Sequence, residues 1–272
     1  MSFLGWYLDD AYVSRTGSKW NYSNKGGTLV AKFSEWNKGG TFTVDNVTYP
    51  QTKVTDTNLI TELSKTLQND GSTTYQGVEY WKKGTNFYKA EKISWMILRQ
   101  DEDRVMVVSE YVLDNHRFNE RYEGTNKKGY YANDYAHSEI REWLNNQFLM
   151  TAFHDDSRIK MIKKTLIDNS ESTTGSSSNQ YACENTEDYV FLLSCQELEN
   201  EYFSSDSERE CYATEYCGTG ARWYWTRSPD SLYSYYAWTV THDGGLRRDG
   251  VGADVMGVRP ALCFDFSGVS ND

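Results

Sequence analysis

A chain of 272 residues is long enough to bury a substantial core as one large or two small domains. Aromatic residues make up 15% of it, which excludes a disordered chain, and a formal net charge of -11 argues against binding a phosphate backbone. The start, Met1 to Trp6, lacks a basic stretch followed by an apolar one, and no run has membrane-spanning length. A soluble protein is expected, cytoplasmic or virion-associated and possibly surface-displayed through a partner.

In chain order, Thr41–Val44 and Val47–Tyr49 flank Asp45-Asn46 and predict a β-hairpin with a two-residue turn. Ser18-Lys19-Trp20-Asn21 and Ser34-Glu35-Trp36-Asn37, each followed by Lys-Gly-Gly, hint at duplicated hairpins but are too short for a repeat array. Leu59, Ile60, Leu63 and Leu67 share one helical face, and the polar stretch from Asp70 to Gly77 interrupts it. Ile93–Leu98 and Val105–Val108 bracket a charged turn, a second hairpin.

Ile140, Trp143, Leu144 and Phe148 predict a helix capped by Ser138, and Ile159 and Ile162 a further helix after Asp155-Asp156. Residues 169–180 have loop composition. Strand Tyr189–Leu193 runs into Ser194-Cys195-Gln196-Glu197, a capping-box pattern that starts another helix. A charged connection, Ser204–Glu210, leads to Tyr- and Gly-rich short strands. Strands first, helices in the middle and a β-rich end give an α+β fold rather than alternating βαβ units. We read 1–50 as a β-rich N-terminal segment, 51–91 as a helical and loop connection, and 92–267 as the main domain.

Motifs for serine hydrolysis, zinc proteolysis, nucleotide phosphates and EF-hand calcium are missing from the sequence. The near-match Gly250-Val251-Gly252 has its third glycine misplaced. His116, His137, His154 and His242 are scattered, without a nucleophile or metal partner at a recognised spacing. Asp101-Glu102-Asp103, Asp155-Asp156 and Glu197–Glu201 suit a turn, a helix start and a solvated helix face. Five cysteines (Cys183, Cys195, Cys211, Cys217, Cys263) lack zinc spacing and read as small core residues, although Cys211 and Cys217 could pair in an oxidising environment. No catalytic residue, metal or cofactor is expected.

The most telling stretch runs from Trp223 to Leu262. Trp223-Tyr224-Trp225-Thr226-Arg227-Ser228-Pro229 and Gly257-Val258-Arg259-Pro260-Ala261-Leu262 frame a run rich in Tyr, Arg and polar residues, the mixture that suits a contact surface. With Ser138–Asn145 and Asp188–Ser194, these frames resemble an uncharacterised domain family of gut bacteria and their viruses, over roughly Lys92 to Phe264. The ending also looks like the variable proteins of diversity-generating retroelements, in which a reverse transcriptase mutates template adenines. That resemblance implies a C-type-lectin-like domain of short antiparallel strands and two or three helices, related to formylglycine-generating enzymes, preceded by a β-rich N-terminal segment. It also implies a hypervariable ligand-binding surface.

The composition agrees with it. Randomising the first two bases of an Asn codon never yields Lys, Glu, Gln, Met or Trp, and from Asp230 to Val255 only Trp238 belongs to those types. The expected ligand-binding set is Asp230, Leu232, Tyr233, Tyr235, Tyr236, Thr239, Thr241, His242, Gly245, Arg247, Arg248, Asp249, Gly250, Ala253 and Asp254. Trp238 and Val240 would face inward and Thr239 and Thr241 outward. The expected partner is a protein or glycan on a host or target cell surface, with neither nucleic acid nor membrane insertion involved. Two alternatives stand beside this reading. A formylglycine-generating-type oxidase needs an active-site cysteine pair that does not map onto these five, and a calcium lectin needs a Glu-Pro-Asn or Trp-Asn-Asp triplet that the sequence lacks.

Overall fold

The structure is a computed structural model, and it describes residues 3–8, 11–14, 29–33, 38–101, 104–120, 124–154 and 159–266. Strands β1 (Phe3–Leu8), β2 (Ala11–Ser14) and β3 (Leu29–Phe33) form an antiparallel sheet in the order β2-β1-β3. The echo at Trp20 and Trp36 lies outside the described residues, as does Asp155-Asp156.

Next come β4 (Thr41–Lys53), helix α1 (Thr57–Lys65), β5 (Ser72–Tyr75), β6 (Val78–Lys83), β7 (Asn86–Asp101) and β8 (Arg104–Ser109). The long strand β7 is the spine of a seven-stranded sheet. Strand β4 pairs with one edge of it, and β6 and β8 take successive halves of the other. The hairpin expected at Asp45-Asn46 is instead a bulge within β4: Thr43 faces Ser94 and Thr48 faces Lys92, so four residues bulge out opposite Ile93. Asn46 takes φ 61°, the left-handed conformation that a tight turn also uses, which is why the sequence reads as a turn. The two-residue hairpin lies elsewhere, at Gln76-Gly77 between β5 and β6, where both residues have positive φ.

Asp56 caps α1 by accepting from the backbone N–H groups of Asn58 and Leu59. Leu63 is buried against Val54, Tyr80 and Phe87. The expected boundary between 91 and 92 therefore falls inside one continuous strand, and much of the expected 51–91 connection is sheet.

The rest of the chain contributes β9 (Asp114–Asn115), α2 (Glu139–Trp143), a π-helical turn (Leu144–Phe148), α3 (Leu149–Phe153), β10 (Thr165–Ile167), β11 (Thr186–Asp188) and β12 (Val190–Phe191). Then follow a π-helical segment (Glu197–Tyr202), a short helix (Asp206–Arg209), β13 (Tyr224–Pro229), β14 (Tyr236–Val240), β15 (Leu246–Gly250), β16 (Gly257–Val258) and β17 (Ala261–Asp265). The last strand lies between β12 and β8, closing the seven-stranded sheet. A five-stranded sheet has the order β15-β14-β13-β16-β9. Ile162 sits in a bridge to Phe264 rather than in the expected helix.

Both faces of the large sheet are covered, so its strands carry unbroken apolar runs. On one face Trp95, Ile97, Val107, Leu262 and Phe264 pack with Ile140, Leu144, Phe148 and Phe153 of the helical segment. On the other, Leu98, Val108 and Ala261 pack with Phe191, Leu198, Tyr202, Tyr224 and Val240. Each fully buried aromatic or large aliphatic side chain contributes about 1.5–3 kcal/mol. Ser138 caps α2, its hydroxyl accepting from the Arg141 N–H at 3.2 Å. The capping box is present as well: Glu197 accepts from the Ser194 N–H at 2.8 Å, and Ser194 Oγ from the Glu197 N–H at 3.2 Å. The observed class is α+β with a β-rich N-terminal region.

Candidate functional site

The framing motifs are largely buried and tied to one another. All six residues of β13 are buried, and Trp225 Nε1 donates to the His116 carbonyl at 2.8 Å. Arg227 donates to the carbonyls of Leu192 and Asp168 and pairs with Glu197 at 2.5 and 2.9 Å. Burial works against its charge, yet Glu197 more than offsets this and holds its pKa above the ordinary arginine value. Glu197 is thus half of a nearly buried ion pair, not a solvated helix charge as expected. Arg259 donates to the Ser109 carbonyl and the Tyr224 hydroxyl and lies 5.5 and 5.4 Å from the rings of Phe203 and Tyr224. Arg141 pairs with Asp188 at 2.8 Å, and Asn145 donates to the Val190 carbonyl while accepting from the Tyr189 N–H, so the first two motifs are joined. Gly257 must be glycine, because a Cβ there would lie 2.5 Å from Val112 and 2.7 Å from the Trp223 carbonyl.

Between the frames the chain makes a turn fixed from below. Asp230 is only 2% exposed, and its Oδ2 accepts from the N–H groups of Leu232 and Tyr233. Asn133, wholly buried on a loop far away in sequence, donates to the carbonyls of Asp230, Tyr233 and Tyr236 at 2.9–3.3 Å. Asn179 donates to the Pro229 carbonyl at 2.9 Å. On this base Leu232 is 64% exposed, Tyr233 43% and Tyr235 36%. The rings of Tyr233, Tyr235 and Tyr236 lie 4.7–5.9 Å apart. The Arg248 guanidinium sits 5.5 Å from Tyr233, 5.9 Å from Tyr236 and 3.4 Å from both Asp230 oxygens. The result is a rigid aromatic and cationic patch held by buried polar groups.

The expected set divides in two. The turn at 251–254 lies beside the tyrosines, since Val251 N–H donates to the Tyr235 carbonyl. There Asp254 pairs with Arg117 at 3.1 Å and Ala253 is half-buried. His242 and Gly245 belong to the turn at the opposite end of β14, about 17 Å away at ordinary strand rise. There His242 is exposed and accepts from Trp223 Nε1 at 3.3 Å. Arg247 is exposed on the edge strand β15 with no ion pair among the described residues, and Asp249 accepts from the adjacent Gly250 N–H.

Three expected contact residues are buried instead. Asp230 is the turn's acceptor, Thr239 donates to the Arg247 carbonyl at 2.9 Å, and Thr241 donates to the Gly245 carbonyl at 2.9 Å. The inward and outward assignment of β14 also reverses at Trp238, which is half-buried and faces Arg248 across the ladder while Thr239 is buried. Simple alternation fails because both faces of the β13–β14 pair are covered, Ala237 joining one core and Val240 the other. Asn133, Arg117, the exposed Tyr131 and the half-buried Tyr181, whose rings lie 4.9 Å apart, complete the surroundings. Nothing in their spacing announces them, because they reach the site from separate loops.

Elsewhere, a cleft of about 630 Å³ brings His154 together with Thr48 and Glu79, at 3.0 and 3.6 Å. Burial raises the Glu79 pKa, and His154 works against the shift. Hydroxyl and carboxylate approach the same nitrogen, Nε2, so the three groups do not form a nucleophile–base–carboxylate relay. Four of the five cysteines are buried, all five are free thiols, and burial pushes Cys183, Cys195 and Cys217 up to about 12. Among the described residues no cluster of His, Cys, Asp and Glu is arranged to hold a metal ion, and no helix is long and apolar enough to cross a membrane.

Residues 102–266 match the family described as Domain of unknown function (DUF6273), and the chain belongs to that family. The four framing motifs all lie within the match, whereas β4 to β7, which pair into the same sheet as β8 and β17, precede it. No curated protein and no solved structure matches the chain.

Proposed function

We propose that this DUF6273 member is a non-catalytic ligand-binding protein whose segment from Asp230 to Val255 is a display surface diversified by a retroelement. The observation that carries the reading is the patch of exposed Tyr233, Tyr235 and Arg248 with half-buried Tyr236, raised on a turn held by the buried side chains of Asp230 and Asn133. Such side chains give large contact area at low entropic cost, and a few anchors of about 2 kcal/mol each dominate a standard interface of about 800 Å² per partner. The depletion of Lys, Glu, Gln, Met and Trp from the same segment supports diversification through Asn codons.

A C-type-lectin-like architecture fits this reading. The ends of the matched domain meet in the large sheet through β8 and β17, while a separate small sheet carries the exposed segment. The partner is a protein or glycan on a host or target cell surface. Sequencing several kilobases on either side of the gene tests the proposal. A reverse-transcriptase gene and an imperfect copy of the segment encoding roughly Trp225 to Leu262 are expected. In that copy the positions of Leu232, Tyr233, Tyr235, Tyr236, His242, Arg247, Arg248, Asp249 and Asp254 should largely read Asn. Absence of a copy, or mismatches spread equally over all four template bases, would leave only an ordinary ligand-binding domain.

A further inference from the structure

A second site lies at the far end of the large sheet, where β7 and β17 end and β8 begins. A cavity of about 290 Å³ there is lined by Arg99, Arg104, Lys163 and Lys164, with Asp101 as the carboxylate of its lining. Four cations around one small cavity stand out in a chain of net charge -11. A concave site with one sign of charge raises the local concentration of the opposite ion.

The strand register shows how the cavity is built. Ile97 faces Val107, but the next pair is Arg99 with Met106, so a bulge sets Leu98 and Arg99 together opposite one residue. In an unbroken ladder Arg99 would follow Ile97 toward the helical face of the sheet. The bulge re-aims it onto the face of Met106, whose partner in β17 is Cys263, and both of these line the cavity. The segment 163–166, which leaves a bridge between Ile162 and Phe264 of β17, lines the remaining side, anchored by the Lys163 N–H donating to the Cys263 carbonyl at 2.7 Å. Leu166, 67% exposed, forms an apolar lip.

Charge bookkeeping within the cavity leaves a surplus. Arg104 pairs with Asp265 at 3.4 Å and is the ladder partner of Asp101, and Lys164 pairs with Glu187 at 3.7 Å. Arg99 and Lys163 make no ion pair among the described residues. We propose that this cavity is an anion subsite for a small ligand bearing a phosphate or sulfate group. Arg99 and Lys163 supply the charge, and the Leu166 lip contacts whatever carries the anion. The volume suits one such group with a small substituent, at the lower end of ordinary ligand pockets. The site shares no residue with the tyrosine patch, and the inference does not rest on the display reading.

The test is titration of the full chain with inorganic phosphate and, separately, inorganic sulfate, in chloride at about physiological ionic strength, where loosely held surface ions are largely screened. Saturable binding is expected, weakened at least tenfold in the double variant Arg99→Ser/Lys163→Ser and unchanged in Lys65→Ser, which removes an exposed cation on α1, far from both sites. A stronger response to one anion assigns the ester class. Should the double variant melt early, Lys163→Gln alone must still weaken binding severalfold, since that side chain is exposed. Lack of saturation by both anions, or equal binding by wild type and variants, overturns the inference.

Discussion

Strands β13 and β15 belong to the same five-stranded sheet and differ in what their side chains are for. In β13 every residue is buried, and its arginine meets two carbonyls and a carboxylate. In β15, at the free edge, Arg247 and Arg248 point outward, and only Arg248 is held, by Asp230 at 3.4 Å and by two tyrosine rings. Two arginine-bearing strands of one sheet thus separate a group the fold depends on from groups it can spare. The division is made by position in the sheet, interior against edge, and not by residue type.

The largest effect should come from breaking the interior pair. Glu197→Ala leaves the buried Arg227 without its counter-charge and removes the capping box, so a loss of about 3–5 kcal/mol is expected in denaturant titration. A loss below about 1 kcal/mol would mean that the pair is solvated. Next is Asn133→Ala, which removes the side-chain donor shared by three carbonyls of the turn and leaves those of Tyr233 and Tyr236 only their backbone partners. About 1–3 kcal/mol is expected, together with loss of ring-proton shift dispersion for Tyr233, Tyr235 and Tyr236. A stable variant with unchanged tyrosine spectra would show that the turn holds its own shape.

Alkaline pH offers a graded version of the same contrast. Burial raises Cys195 and Cys217 from 9.0 to about 12. In the unfolded chain these thiols ionise first, so between those values the folded state holds more protons and stability falls as pH rises, by up to about 1.4 kcal/mol per thiol per pH unit. Melting temperature should therefore decline above pH 9, less steeply in Cys195→Ala. An equal slope in that variant would exclude Cys195 as a contributor. The smallest change in stability belongs to the display patch. Replacing Tyr233, Tyr235, Tyr236, Arg247 and Arg248 by Ser should move each site's contribution by about 0.5 kcal/mol or less while removing ligand contacts. A cooperative loss of several kcal/mol would place these residues in the frame.

Much of this architecture was legible where local chemistry decides it. Ser138 and the Ser194–Glu197 box cap helices as their spacing predicts, and the β7–β8 hairpin follows from its apolar runs. Other features depend on partners distant in sequence. Asp45-Asn46 carries turn chemistry, but the chain on either side pairs with β7 and not with itself. The β5–β6 hairpin gives little signal because β5, Ser-Thr-Thr-Tyr, is polar and only four residues long. Trp238 is half-buried and Thr239 buried, the reverse of what alternation predicts, because alternation presumes one solvated face and this sheet has cores on both. Of the exposed patch, Tyr233 and Tyr235 are legible in the composition, but Asn133, which holds the turn carrying them, gives no local signal.

The central claim is that display positions vary freely on a frame that cannot. Two libraries with the same residue alphabet test it, one at Leu232, Tyr233, Tyr235, His242, Arg247 and Asp254, the other at Trp225, Arg227, Asp230, Thr239 and Thr241, each sorted for resistance to protease. The account predicts that most members of the first library survive and few of the second do. Equal survival of the two would contradict it.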